Sequence, residues 1–138
     1  MDYVKIRDDI RDTVSNMKCR SDHVIVFDID DTLVYSRSNI PIKPMIQIYN
    51  YLIKRFKVFL ITARDPAYRE FTVEQLESLG VTGYEALLMV GNKDKGEKKR
   101  RMRKHIEKRG HIILFNIGDK KSDFYGGYYD VGYKLPTL

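Results

Sequence analysis

The sequence predicts an α/β fold: a doubly wound, Rossmann-like parallel sheet of about five strands, with helices on both faces, in a single domain over residues 1–138. Three observations lead there. Short apolar runs rich in Val, Ile, Leu and Phe recur at 24–29, 58–61, 86–90 and 112–117, and uninterrupted apolar strands belong to sheets covered on both faces. Segments with helical spacing separate these runs, as crossovers between parallel strands require. Several of the runs break abruptly into polar residues, at Asp28, Thr62 and Asp119. In open α/β sheets the carboxyl ends of the strands are where ligands bind.

Taken in order, residues 2–18 carry Ile6, Ile10, Val14 and Met17 at helical spacing. They predict an amphipathic helix that packs on the sheet, with a dimer contact as the less favoured use. The first strand, 24–29, runs into Asp28, Asp30 and Asp31. Residues 32–43, with Ser36, Ser38, Asn39 and Pro41, predict a loop or small hairpin. Pro44 opens a helix to about Arg55, with Met45, Ile48 and Leu52 on its apolar side. Val58–Ile61 is the second strand. Asp65-Pro66 is a cap followed by a first-turn proline, and Gly80 is a stop. Ala86–Val90 is the third strand, and a basic helix runs from about Asp94 to Arg109 before Gly110. Ile112–Ile117 is the fourth strand, and a short fifth falls within Tyr129–Leu135.

Charge is concentrated in one place. The chain carries a net +6, yet residues 93–109 alone hold ten Lys or Arg against Asp94, Glu97 and Glu107, so the remainder sums to −1. A run of this kind is either a solvated helix face or a patch that draws polyanions. It makes nucleic acid a candidate partner through 93–109, although no base-reading motif accompanies it. Cys19 is the only cysteine, which excludes an intramolecular disulfide and suits a reducing compartment. His23, His105 and His111 show no zinc-ligand spacing with it. No run approaches the roughly 20 apolar residues of a membrane helix, and the opening MDYVKIRDDIRD is too charged for a signal peptide. A cytoplasmic protein without a membrane segment is expected.

Chemistry concentrates in VIVFDIDDTLV, residues 24–34. Several like charges at the end of a buried strand are costly unless a cation neutralises them. The segment therefore suggests a magnesium site with a carboxylate nucleophile, against the alternative of a strand entering an acidic turn. Thr62 offers a hydroxyl to a phosphate oxygen. Asp119 and Asp123, in GDKKSD, add oxygen ligands of the kind magnesium takes. A lysine of the basic helix would supply the positive charge that phosphoryl transfer needs.

The ordered set resembles the haloacid dehalogenase superfamily of phosphohydrolases over most of the chain, and within it the class B acid phosphatases and plant vegetative storage proteins. VFLITARDPAYREFTVEQLESLGVTGYEALLM (58–89) is similar to their second-motif region. KKRRMRKHIEKRGHIILFNIGDKKSD (98–123) is similar to their lysine-to-aspartate segment, and YKLP (133–136) falls in register. The resemblance implies that Asp28 is a nucleophile forming an aspartyl-phosphate. Asp30 would be the acid that protonates the leaving oxygen and then the base that activates water. Thr62 and Lys99 would hold the phosphoryl oxygens; Lys98 is the rival of Lys99. Magnesium would be held by Asp28, the Asp30 carbonyl and Asp119, with Asp123 either a water-mediated ligand or the residue that orients Lys99. Asp31 is expected to be an exposed turn residue, and Arg64 is left without a role.

The segment between Thr32 and Thr62 is 29 residues long, enough for a helix and a strand but not for the helical lid of the secreted relatives. The expectation is an open, capless phosphomonoesterase acting on nucleotides or nucleic-acid ends. A phosphoprotein or small-metabolite phosphatase is the alternative, and a catalytically idle binding or storage protein is a third reading.

Overall fold

A computed structural model describes residues 2–136. Its centre is β1 (His23–Phe27), in which every residue is buried. The other strands are β2 (Lys57–Thr62), β3 (Ala86–Met89), β4 (Ile112–Gly118) and β5 (Val131–Lys134). They form one sheet in the order β3-β2-β1-β4-β5, and every pairing is parallel. The helices are α1 (Tyr3–Ser15), α2 (Lys43–Leu52), α3 (Arg69–Ser78) and α4 (Lys95–Lys108). The doubly wound α/β fold expected from the apolar runs is what the chain adopts.

Side chains alternate across a strand, so odd and even positions build two separate cores. Ile25, Phe27, Val58, Leu60, Phe115 and Ile117 face α1, α2 and α3, where Ile6, Ile10, Val14, Met45, Ile48 and Leu76 are buried. Val24, Val26, Phe59, Ile61 and Ile113 face the other way and are closed over by Ile106 and Met102 of α4. The apolar stripe of α1 is thus covered within the chain. A register shift between β1 and β4 at Val24/Ile25 sets Phe27 opposite Ile117. It is this register that brings Asp28 alongside Gly118-Asp119.

Several element ends differ from the sequence reading; α2, for one, stops at Leu52 rather than about Arg55. The first helix begins at Tyr3, where the Asp2 carboxylate caps the Lys5 amide at 2.8 Å, and it ends at Ser15 rather than reaching 18. The first strand stops at Phe27, because the chain after Asp28 coils into a tight loop closed by Leu33 N–H on Ile29 O (2.8 Å) and Ile42 N–H on Leu33 O (2.9 Å). Asp65 does cap its helix, accepting from the Ala67 amide at 2.9 Å, but the first turn, Pro66–Tyr68, is 3₁₀ and the α-helix starts at Arg69. Between β1 and β2 the described residues hold only this loop and α2. No helix among the described residues is long and apolar enough to cross a membrane.

Candidate active site

Adjacent strands β2, β1 and β4 end side by side, so Thr62, Asp28 and Asp119 share one edge of the sheet. They line a cleft of about 320 Å³ together with Asp30, Asp31, Lys99 and Asp123. One carboxylate oxygen from each of Asp28, Asp119 and Asp123 lies within 4.8 Å of the others, and all three residues are buried. The sequence-predicted cluster is therefore assembled in space.

Helix phase places the two candidate lysines differently. Lys99, Arg103 and Ile106 form the buried stripe of α4, the spacing of one helix face. Lys99 Nζ donates to Asp28 Oδ1 at 3.2 Å and also to Asp123 Oδ1. Lys98, one residue away in helical angle, instead donates to the Val90 carbonyl at 3.3 Å. Asp123 also settles its own geometry: its second oxygen accepts the Asp119 and Lys120 amides at 3.1 and 3.0 Å. Of the two places open to it, orienting Lys99 is the one its contacts describe.

The electrostatics are those of a site short of positive charge. Burial pushes the Asp28 carboxyl well above its ordinary range; Lys99 opposes this, and Asp123 and Asp119 add to it. Burial likewise raises Asp119, against a hydrogen bond with Asp28 that lowers it. For Lys99, burial favours the neutral amine, but the carboxylates of Asp28 and Asp123 outweigh it and raise the ammonium. Buried carboxylates in this number want a cation.

Two features escaped the sequence reading. Arg64 makes a bidentate pair with Asp30, at 2.9 Å from Nε and 2.8 Å from Nη2, and its remaining nitrogen donates to Thr72 and Gln75 of α3 at 3.2 and 2.7 Å. Asp30 is thus drawn to Arg64 at the rim of the cleft. The Arg64 amide also donates to Thr62 Oγ1 at 3.1 Å, which leaves the threonine hydroxyl hydrogen to point elsewhere. The second feature is Asn92 and Lys95, which join Lys120 and Ser122 on the rim. Asp31, expected as an exposed turn residue, does sit in a left-handed turn at φ 56°. It is half-buried, and its carboxylate accepts from the Ser36 amide and hydroxyl at 3.0 and 2.9 Å.

The basic run of α4 is less of a free positive face than its composition promised. Lys99 and Arg103 are buried, Arg100 and Arg101 both pair with Glu97, and Lys98 is turned to a carbonyl. Gly118 is a steric requirement of the site: a Cβ there would stand 2.5 Å from Asp123 Oδ2. Gly118→Ala is expected to displace that carboxylate and cost about 1–3 kcal/mol by overpacking. Urea denaturation checks this, and unchanged stability would mean that Asp123 can move at no cost.

Comparison with known proteins identifies the family. A family model described as the haloacid dehalogenase (HAD) superfamily, subfamily IIIB (acid phosphatase) matches residues 33–135. The match begins just after the acidic loop that holds Asp28 and Asp30. Acid phosphatase 1 of Solanum lycopersicum is 29% identical over 141 residues, covering 94% of this chain and 55% of the relative. A chain in the solved structure of an RNA repair complex superposes with a TM-score of 0.65 at 18% identity, over 87% of this chain and 45% of that one. This chain spans about half the length of each, and the second likeness speaks to fold alone. With the family model covering most of the described chain, the protein belongs to the HAD superfamily, subfamily IIIB, the acid phosphatase group.

Proposed function

We propose that this chain is a magnesium-dependent phosphomonoesterase that works through an aspartyl-phosphate on Asp28. The observation that supports it most is the buried row Asp28–Lys99–Asp123 with Asp119 beside it. A carboxylate aimed into an open cleft, beside an ammonium and a threonine hydroxyl, is suited to attack phosphorus while the phosphoryl oxygens are held.

In the first step an Asp28 carboxylate oxygen bonds to phosphorus as the ester P–O bond breaks. The departing oxygen takes its proton from Asp30. In the second step water attacks the phosphorus, Asp30 takes the water proton, and the Asp28–phosphorus bond breaks to release inorganic phosphate. Lys99 and Thr62 hold the phosphoryl oxygens through both steps. The bidentate pair with Arg64 is made by the carboxylate form of Asp30, the form that accepts a proton from water. Service as the acid requires this pair to open.

The residues present fit a hard divalent cation. Three buried carboxylates face the buried Lys99 ammonium and, 3.5 Å from Asp119, the half-exposed Lys120 ammonium, so the cluster keeps an excess of negative charge, and the donors are oxygens, as magnesium prefers. Asp28 and Asp119, with the Asp30 carbonyl, would hold the ion, and Asp123 would stand behind through Lys99. Magnesium there supplies charge neutralisation for the carboxylate and the incoming phosphate.

The test is phosphate release from an aryl phosphate, a mononucleotide and end-phosphorylated oligonucleotides, with magnesium or with chelator. Release with magnesium that vanishes with chelator is expected. Magnesium at a hundred times its dissociation constant should also stabilise the fold by about 2.7 kcal/mol, a thermal shift that Asp119→Asn removes. No magnesium-dependent shift and no release would overturn the reading. The open cleft, with Lys95 and Lys120 on its rim, favours nucleotides or nucleic-acid ends over a phosphoprotein or a small metabolite.

A further inference from the structure

The 3₁₀ turn after β4, Lys121–Asp123, has two sides. Lys120, Ser122 and Asp123 face the cleft. Lys121 instead lines a separate groove of about 380 Å³ with Phe124, Tyr125, Tyr129, Gly132 and Lys134. The chain from 120 to 125 thus contributes residues to both walls.

Its floor is built rather than incidental. The Phe124 and Tyr129 rings meet edge to face, with centroids 5.9 Å apart and planes at 76°. They lie on the backbone of β5 at Gly132, where a Cβ would come within 2.9 Å of Tyr129 and 3.1 Å of Phe124. Behind Tyr129 the buried Arg103 guanidinium sits 5.9 Å from the ring centre. Tyr125, by contrast, is 56% exposed and borders both this groove and a neighbouring depression of mixed charge, lined by Asp94, Glu97, Lys98 and Arg101. Gly96 of α4 lies against the base of the Tyr125 ring, and the large exposed remainder is a π-face beside the packed Phe124 and Tyr129 rings. The groove-lining residues are aromatic or lysine apart from Gly132, and none is acidic.

We infer that this groove carries a single strand of nucleic acid whose terminal phosphate lies in the cleft, with a base on Tyr125 and a backbone phosphate on Lys121. Aromatic faces and lysines together, near a phosphate site, suit a polymer that repeats base and phosphate, since stacking is indifferent to sequence and lysines follow the backbone. A phosphopeptide would offer one phosphate and no repeated π-face. The inference rests on the phosphomonoesterase reading for the terminal phosphate, but the groove itself is testable without turnover.

Two measurements separate the readings. Fluorescence anisotropy of a labelled, unphosphorylated ten-nucleotide strand, in chelator, reports the groove alone. Steady-state hydrolysis of the same strand bearing a terminal phosphate, beside an aryl phosphate and a phosphopeptide, reports cleft and groove together. Wild type is expected to bind the strand more weakly as salt rises and to hydrolyse it with a lower KM than the aryl ester. Tyr125→Ala and, separately, Lys121→Ala should each raise the strand's Kd and KM about tenfold, with aryl phosphate turnover unchanged as the control for folding. Unchanged Kd and KM in both variants, or a lower KM for the phosphopeptide, would overturn the inference. Strand binding that responds to both variants, without hydrolysis of any ester, would uphold the groove and defeat the phosphatase.

Discussion

Asp28→Asn is expected to lower phosphate release by about 10⁴-fold or more while leaving the fold intact. The carboxamide matches the carboxylate in shape, so the packing at the end of β1 is retained, but it is not a nucleophile toward phosphorus. Stability should not fall in the absence of metal. Burial already holds the Asp28 carboxyl well above its ordinary range, so the charged form is unwelcome there, and Lys99 keeps Asp123 as a partner. Magnesium should lose its stabilising effect, because one of its oxygens has been replaced. Phosphate release and thermal melting with and without magnesium measure all three. Turnover within tenfold of wild type would assign the nucleophile to another residue and remove the mechanism.

Arg103→Met is expected to destabilise the fold by about 3 kcal/mol or more. Arg103 is 1% exposed. Its guanidinium donates to the carbonyls of Gly127 (2.8 Å), Asp123 (2.7 Å) and Tyr125. Methionine fills much of the same volume but leaves three carbonyls without their shared donor. Only Asp123 O has a second partner, Asn116 Nδ2 at 2.8 Å. Urea unfolding reads the loss. Because the anchored segment begins at Asp123, turnover should fall with it even in the fraction that remains folded. A variant within 1 kcal/mol of wild type would show that the segment holds itself.

The strand ends were legible because two independent signals coincide there. An apolar run defines the strand, and an abrupt polar residue marks its end. Parallel topology then forces Asp28, Thr62 and Asp119 to one edge. Lys99 was legible only through the family resemblance, which left Lys98 as its rival; the helix face that separates them shows in the structure, where Lys99 is buried with Arg103 and Ile106. Asp31 was half legible: the turn was expected, while its hydrogen bonds to Ser36 depend on how the loop closes.

Arg64 and Arg103 were not legible, for a physical reason. Arginine is ordinarily a surface residue, so in a sequence a buried arginine looks the same as a solvated one. What half-buries Arg64 is Asp30, 34 positions away in the loop that follows β1, together with Thr72 and Gln75. What buries Arg103 is a chain of carbonyls from 123 to 127, presented by a segment in which Gly126, Gly127 and Tyr128 all take left-handed conformations. Neither environment exists until distant parts of the chain have packed. The amino-acid order by itself thus determined the strand ends and the residue types that converge there, since periodicity and topology act locally and predictably. Tertiary structure alone decided which cations are turned inward and how much of the basic helix remains a positive face, because those depend on acceptors that folding brings from elsewhere.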